Sequence, residues 1–144
     1  DTGSSFLPAE INSAFLLAQI ENLDAIQSRR KSIWNLYDKA LREINGGGYY
    51  PIVPNYASNN AHMYYMVCSS LDERSKLIDY LRSKGVLAVF HYQCLHQSEF
   101  YKRMETIIPY LPNSEMFSEC IVRLPLFYEL TDDQANYIIN NIKK

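Results

Sequence analysis

The chain has 144 residues, 47% of them apolar, which is enough to bury one core without help from disulfides or metal. A net charge of -2 gives no basic footprint for a nucleic-acid backbone or an anionic membrane. No run reaches the roughly 18 apolar residues of a membrane span, and the opening DTGSSFLPAE lacks the basic start and apolar stretch of a signal peptide. Three cysteines, odd in number and far apart, suit reduced thiols in a cytoplasm better than a disulfide framework. Twelve tyrosines supply apolar bodies with polar tips, useful at pocket rims and subunit contacts. The missing initiator Met and the immediate Gly-Ser-Ser turn read as an excerpt of a longer polypeptide, and we expect a C-terminal domain.

In chain order, Ile11, Phe15, Ala18, Ile33, Tyr37, Leu41 and Ile44 follow helical spacing from Pro8 to about Ile44, where Gly46, Gly47 and Gly48 stop the helix. Unbroken, it would run roughly 55 Å, against a radius of gyration of about 15 Å for a compact chain of this size. It must kink, break near Asn22 to Asp24, or project. The segment SAFLLAQI is apolar almost all round and needs a partner beyond one core, so the stretch before about Leu23 is expected to be displaced or swapped between chains.

HMYYMVC, residues 62–68, is dense in β-favouring types and predicts a strand. Ser70 and Glu73 have capping-box spacing, Leu77, Ile78 and Leu81 form a stripe, and Gly85 closes the helix after Lys84. VLAVFHY then reads as a buried strand ending at His91, with Val89 and His91 on one face and Tyr92 on the other. Further helices are predicted near Glu99 to Met104 and over NSEMFSEC, then a short strand at Ile121 to Leu124. Thr131 and Gln134 form a second capping box opening a last helix with Ala135, Ile138, Ile139 and Ile142 inward. The expected fold is a two-layer α/β (α+β) domain, 1–144, with a helical interface segment over 1–45 and an α/β core over 60–144. Its small sheet is expected to be mixed and mainly antiparallel, covered by helices.

The candidate chemistry gathers in VFHYQCLHQSEF. His91, Cys94 and His96 have ligand-type side chains, but no distant second pair completes a structural zinc set, so no metal is expected. Cys94 as a nucleophile would need a converged base and an oxyanion hole, and the sequence shows neither. His91 and His96 fit pocket residues at a strand end and ordinary satisfied histidines equally well. Arg123, in IVRLPLFYEL, needs a partner in its apolar surroundings: a structural one such as Glu119, or a substrate carboxylate that it clamps. Ser4 and Ser5, before a helix start, form a turn of the kind that holds phosphate, and that also occurs in plain linkers.

Taken together, GSSFLPAEINSAFLLAQIENLD, NAHMYYMV, LAVFHYQCLH and RLPLFYELT resemble the C-terminal part of the sugar-nucleotide aminotransferases of the fold-type I pyridoxal-phosphate class, collinearly from Gly3 to about Thr131. The likeness falls nearest the subgroup of dTDP-4-amino-4,6-dideoxygalactose transaminases, which aminate a dTDP-4-keto-6-deoxyhexose with glutamate for lipopolysaccharide or other surface polysaccharide. It implies a cytoplasmic homodimer whose pyridoxal 5'-phosphate sits in a large N-terminal domain absent here. It further implies that Ser4 and Ser5 reach the cofactor phosphate of the neighbouring subunit. His91, Tyr92 and His96 would line the sugar-nucleotide side, and Arg123 would take glutamate's carboxylate. Cys94 stands where the similar motif has proline, and residues 97–114 lack an expected glycine pattern. None of the seven lysines matches the catalytic motif, so the chain is expected to carry no catalytic residue and to be inactive alone. The alternative from a different class is a free-standing small-ligand binding or regulatory α/β module.

Overall fold

A computed structural model describes residues 7–42, 44, 50–104 and 107–144. Of the three outcomes open to the long helix, a kink, a break near Asn22 to Asp24 or a projection, the structure shows the break. Helix α1 spans Glu10–Glu21 and α2 spans Leu23–Leu41, with Asn22 alone between them at φ -104 and ψ 11. The Asn22 side-chain amide donates to the Ala18 carbonyl at 2.9 Å, competing locally with the helical ladder. The predicted stop at Gly46, Gly47 and Gly48 lies outside the described residues.

Helices α1 and α2 have different fates. Helix α2 buries Ile33, Trp34, Tyr37 and Leu41, one face of the 3.6 repeat, and Tyr37 Oη donates to the Pro125 carbonyl at 2.9 Å. Helix α1 buries nothing: Ile11 and Phe15 are 79% and 72% exposed, and Leu16, Leu17 and Ile20 are also exposed. The apolar-all-round reading of SAFLLAQI is met by a helix that buries no residue among the described ones.

The rest follows as β1 (Tyr64–Val67), α3 (Leu71–Ser83), β2 (Val89–Phe90), a 3-10 turn at Leu95–Gln97, α4 (Glu99–Met104), α5 (Pro112–Cys120), β3 (Ile121–Leu124) and α6 (Asp132–Ile142). The sheet order is β1-β3-β2, and both pairings are antiparallel, so the mixed component expected of the sheet is absent among the described residues. Tyr64 pairs with Leu124 and Met66 with Val122, and this face packs with α2, α3 and α6 into a single core. The only tryptophan, Trp34, meets Tyr64 edge-on at 5.5 Å.

Local signals explain the ends. Thr131 accepts from the Gln134 N–H and Gln134 returns to the Thr131 N–H, a complete capping box. The box at Ser70 is half formed: Ser70 Oγ accepts from the Glu73 N–H, but the Glu73 carboxylate turns to the N–H and hydroxyl of Ser69. Helix α3 ends in a Schellman motif, with Gly85 at φ +75 and the Val86 N–H donating to the Leu81 carbonyl. That motif corrects the reading of VLAVFHY as a long buried strand. It seats Val86 and Ala88 in the core outside any ladder, leaves Leu87 exposed, and limits pairing to Val89 and Phe90.

Candidate functional site

The sheet face opposite the core carries Tyr65, Arg123 and Val89 in register across the three strands, all half-buried. Just past β2 the chain changes hand. Tyr92 adopts φ +42, a left-handed backbone that a residue with a Cβ enters at a cost of about 1 to 2 kcal/mol. Strand alternation would have sent the Tyr92 ring away from His91; the left-handed turn brings it back. The rings lie 4.8 Å apart, and the Arg123 guanidinium stands 5.9 Å from the Tyr92 ring centroid.

Arg123 thus finds its partner in His91, at 3.2 Å from Nη1 to Nδ1, and not in the exposed Glu119. Guanidinium only donates, so Nδ1 accepts and the ring hydrogen of neutral His91 resides on Nε2, available as a donor. Burial first, then the Arg123 charge, then His62, pull the His91 pKa below the usual histidine value. Among the described residues no carboxylate lies within ion-pair distance of Arg123, which leaves guanidinium N–H groups for an incoming anion.

His96 borders the same hollow as His91 and Tyr92. It is 6% exposed, and its Nε2 donates to Glu115 Oε1 at 3.0 Å, so its polar edge is already satisfied inside the domain. Cys94 is buried, with Sγ donating to the Ser114 carbonyl at 3.1 Å. Its φ of -63 and ψ of 130 are values a proline would hold, in keeping with a position whose backbone matters more than its thiol. Among the described residues no cluster of His, Cys, Asp and Glu is arranged to hold a metal. Ser4 and Ser5 lie outside the described residues.

Sequence reasoning missed the scaffold under this loop. Ser114, Glu115 and Ser118 share the face of α5 turned to residues 92–96, and Ser118 Oγ donates to the Tyr92 carbonyl at 3.0 Å. Glu115 and Ser118 of NSEMFSEC were the available signal, since Ser114 contributes only its backbone carbonyl. Two hollows flank Tyr92. One of about 630 Å³ is walled by His91, His96, Tyr101, Phe117 and Ile121, and one of about 620 Å³ by Arg74, Phe90, Gln97 and Lys102. A larger hollow, about 740 Å³, lies at the other end of β1 and contains none of the Arg123 cluster; convergent chemistry locates the candidate site better than volume does.

Residues 2–143 match the family described as DegT/DnrJ/EryC1/StrS aminotransferases. The chain belongs to that family. Among solved structures, a DegT DnrJ EryC1 StrS aminotransferase from Brucella abortus is 26% identical, with a TM-score of 0.79 over 92% of this chain and 34% of its own. Spr1654 from Streptococcus pneumoniae, in its PLP form, is 26% identical with a TM-score of 0.78, covering 88% of this chain and 33% of its own. DesV from S. venezuelae, in complex with a ketimine intermediate, shares the fold at 21% identity and a TM-score of 0.83, over 99% of this chain and 39% of its own. The chain therefore spans about a third of the length of these DegT/DnrJ/EryC1/StrS structures. Among the described residues no helix is long and apolar enough to cross a membrane.

Proposed function

We propose that this chain is the small C-terminal domain, residues 1–144, of a PLP-dependent sugar-nucleotide aminotransferase. In this reading the full-length enzyme is a cytoplasmic homodimer that aminates a dTDP-4-keto-6-deoxyhexose with glutamate for lipopolysaccharide or other surface polysaccharide. The observation that carries the reading is the family match over residues 2–143. The open sheet face gives it a local chemistry. Arg123 offers a fixed fork of N–H donors for glutamate's carboxylate. His91, kept neutral with a hydrogen on Nε2, donates to a sugar or phosphate oxygen, and Tyr92 offers an exposed ring.

Pyridoxal phosphate supplies an electron sink once it is bound as an imine to a lysine. The described residues do not fit that attachment, because each of the chain's seven lysines is exposed, and Lys76, Lys102 and Lys144, which border hollows, do so from their open rims. The cofactor lysine is therefore assigned to a large domain on the same longer polypeptide. The uncovered α1 is assigned to contacts with that domain and the second subunit, and Ser4 and Ser5 to the cofactor phosphate.

The test is amination by the full-length polypeptide, followed by mass spectrometry of the nucleotide-linked amino sugar. The expected result is glutamate-dependent conversion of a dTDP-4-keto-6-deoxyhexose, with Arg123→Met raising the KM for glutamate more than that for the sugar. Conversion of a UDP-linked keto sugar alone would keep the class and reject the finer substrate. No conversion of any nucleotide keto sugar would reject the reading, as would an imine band formed with PLP by the 144-residue chain alone.

A further inference from the structure

The hollow at the end of β1 holds two of the three cysteines. Cys68 and Cys120 face each other one step beyond the Val67–Ile121 pair of the β1-β3 ladder, and the Cys68 N–H donates to the Cys120 carbonyl at 2.9 Å. Cys68 packs against the core beside Met66, Cys120 is buried, and both border the same hollow. Both are free thiols; Cys68 is half-buried and Cys120 is buried. We propose that Cys68 and Cys120 form a reversible disulfide, joining the end of β1 to the last residue of α5, that acts, through α5, on the loop carrying Tyr92, Cys94 and His96.

Backbone geometry allows the bond. The 2.9 Å hydrogen bond from the Cys68 N–H to the Cys120 carbonyl keeps the two Cα atoms within about 7 Å of each other, against the roughly 4.4 to 6.8 Å that a disulfide takes. Closure ties Cys120 to the end of β1. Cys120 is the last residue of α5, the helix whose Ser114, Glu115 and Ser118 hold the 92–96 loop. A bridge that borders an open hollow is also within reach of a reductant, the property of a regulatory bond more than a structural one. The oxidant is a small-molecule disulfide such as oxidised glutathione. The Cys68 thiolate attacks it and releases one glutathione thiolate. The Cys120 thiolate then attacks the Cys68 sulfur of the mixed disulfide and releases the second. Two protein thiols lose their hydrogens, and one glutathione disulfide becomes two thiols. Burial pushes the Cys68 pKa up to about 11 and raises that of Cys120, so the reaction is slow at neutral pH and quickens with alkali.

The experiment treats the 144-residue chain with oxidised glutathione, maps its peptides by mass spectrometry and follows amide hydrogen exchange. The expected result is a Cys68–Cys120 linked peptide with Cys94 still a free thiol, forming about tenfold faster per pH unit from roughly pH 7 to 9. Exchange should change at residues 92–96, and dithiothreitol should reverse both effects. Cys68→Ser and Cys120→Ser each abolish the link, and Cys94→Ser leaves it. Glutathione stranded on Cys68, a bridge between chains, or oxidation of Cys94 in place of the pair would overturn the proposal. A link that formed with unchanged exchange at 92–96 would overturn its action through α5. Peptide mapping of the unsubstituted chain decides the pairing even if a serine variant fails to fold.

Discussion

The left-handed Tyr92 backbone makes a prediction whose sign depends on magnitudes. Replacing Tyr92 by glycine removes a strain of about 1 to 2 kcal/mol. Against that, glycine adds unfolded-state freedom worth about 0.4 to 1 kcal/mol, and loss of the ring forfeits a cation–π contact with Arg123 worth roughly 0.5 to 1 kcal/mol at an exposed site. The ring is 73% exposed, so little burial is lost besides. Tyr92→Gly should therefore fall within about 1 kcal/mol of the parent chain. Tyr92→Ala loses the same ring, keeps the strain, and should be the less stable of the two by about 0.5 to 1 kcal/mol. Trp34, 6% exposed in the core, reports urea unfolding by fluorescence without a label. An alanine variant more stable than the glycine variant by about 0.4 to 1 kcal/mol would show that φ +42 costs nothing, and would remove strain from the account of this site.

Thr131→Ala deletes a complete capping box and should cost about 1 kcal/mol in the same assay, while Thr131→Ser should recover most of it. The His91 pKa lies below its ordinary 6.5, so the native state binds fewer protons than the unfolded one. Its contribution to stability is complete above about pH 6.5 and is lost as pH falls through the lower native value. An NMR titration should place His91 below 6.5 and Arg123→Met should raise it; no upward movement would refute the pairing. Phe15→Glu with Leu16→Glu should leave the urea midpoint unchanged, because α1 buries nothing, and should reduce self-association in light scattering.

What was legible in the sequence was local or forced by size. That the long helix must kink, break near Asn22 to Asp24 or project followed from its length, and the box at Thr131 from two side chains three residues apart. Gly85 marked the end of α3 correctly, but the burial of Val86 and Ala88 beside it imitated a strand, since an apolar run says where residues pack and not whether they pair. The site was legible in its residue types and not in its pairings. His96 is claimed by Glu115 nineteen positions away, and Arg123 by His91 across β2-β3. Both partners were set by the register of a sheet and the facing of α5, which pattern alone does not encode. The return of Tyr92 toward His91 depended on a backbone angle that tyrosine gives no reason to expect.

The smallness of β2 also bears on how this chain goes wrong. A sheet edge with free N–H and C=O groups is a template for cross-β growth, and the commonest protections are brevity and a twist in the backbone. Here one edge is two residues long and runs into the left-handed Tyr92. The other follows the left-handed Ala61, whose carbonyl, with that of His62, is held by Arg30 from α2. Sticky surface lies on α1 instead. Concentrated samples should cloud as amorphous, helix-rich, dye-negative precipitate and form no fibrils.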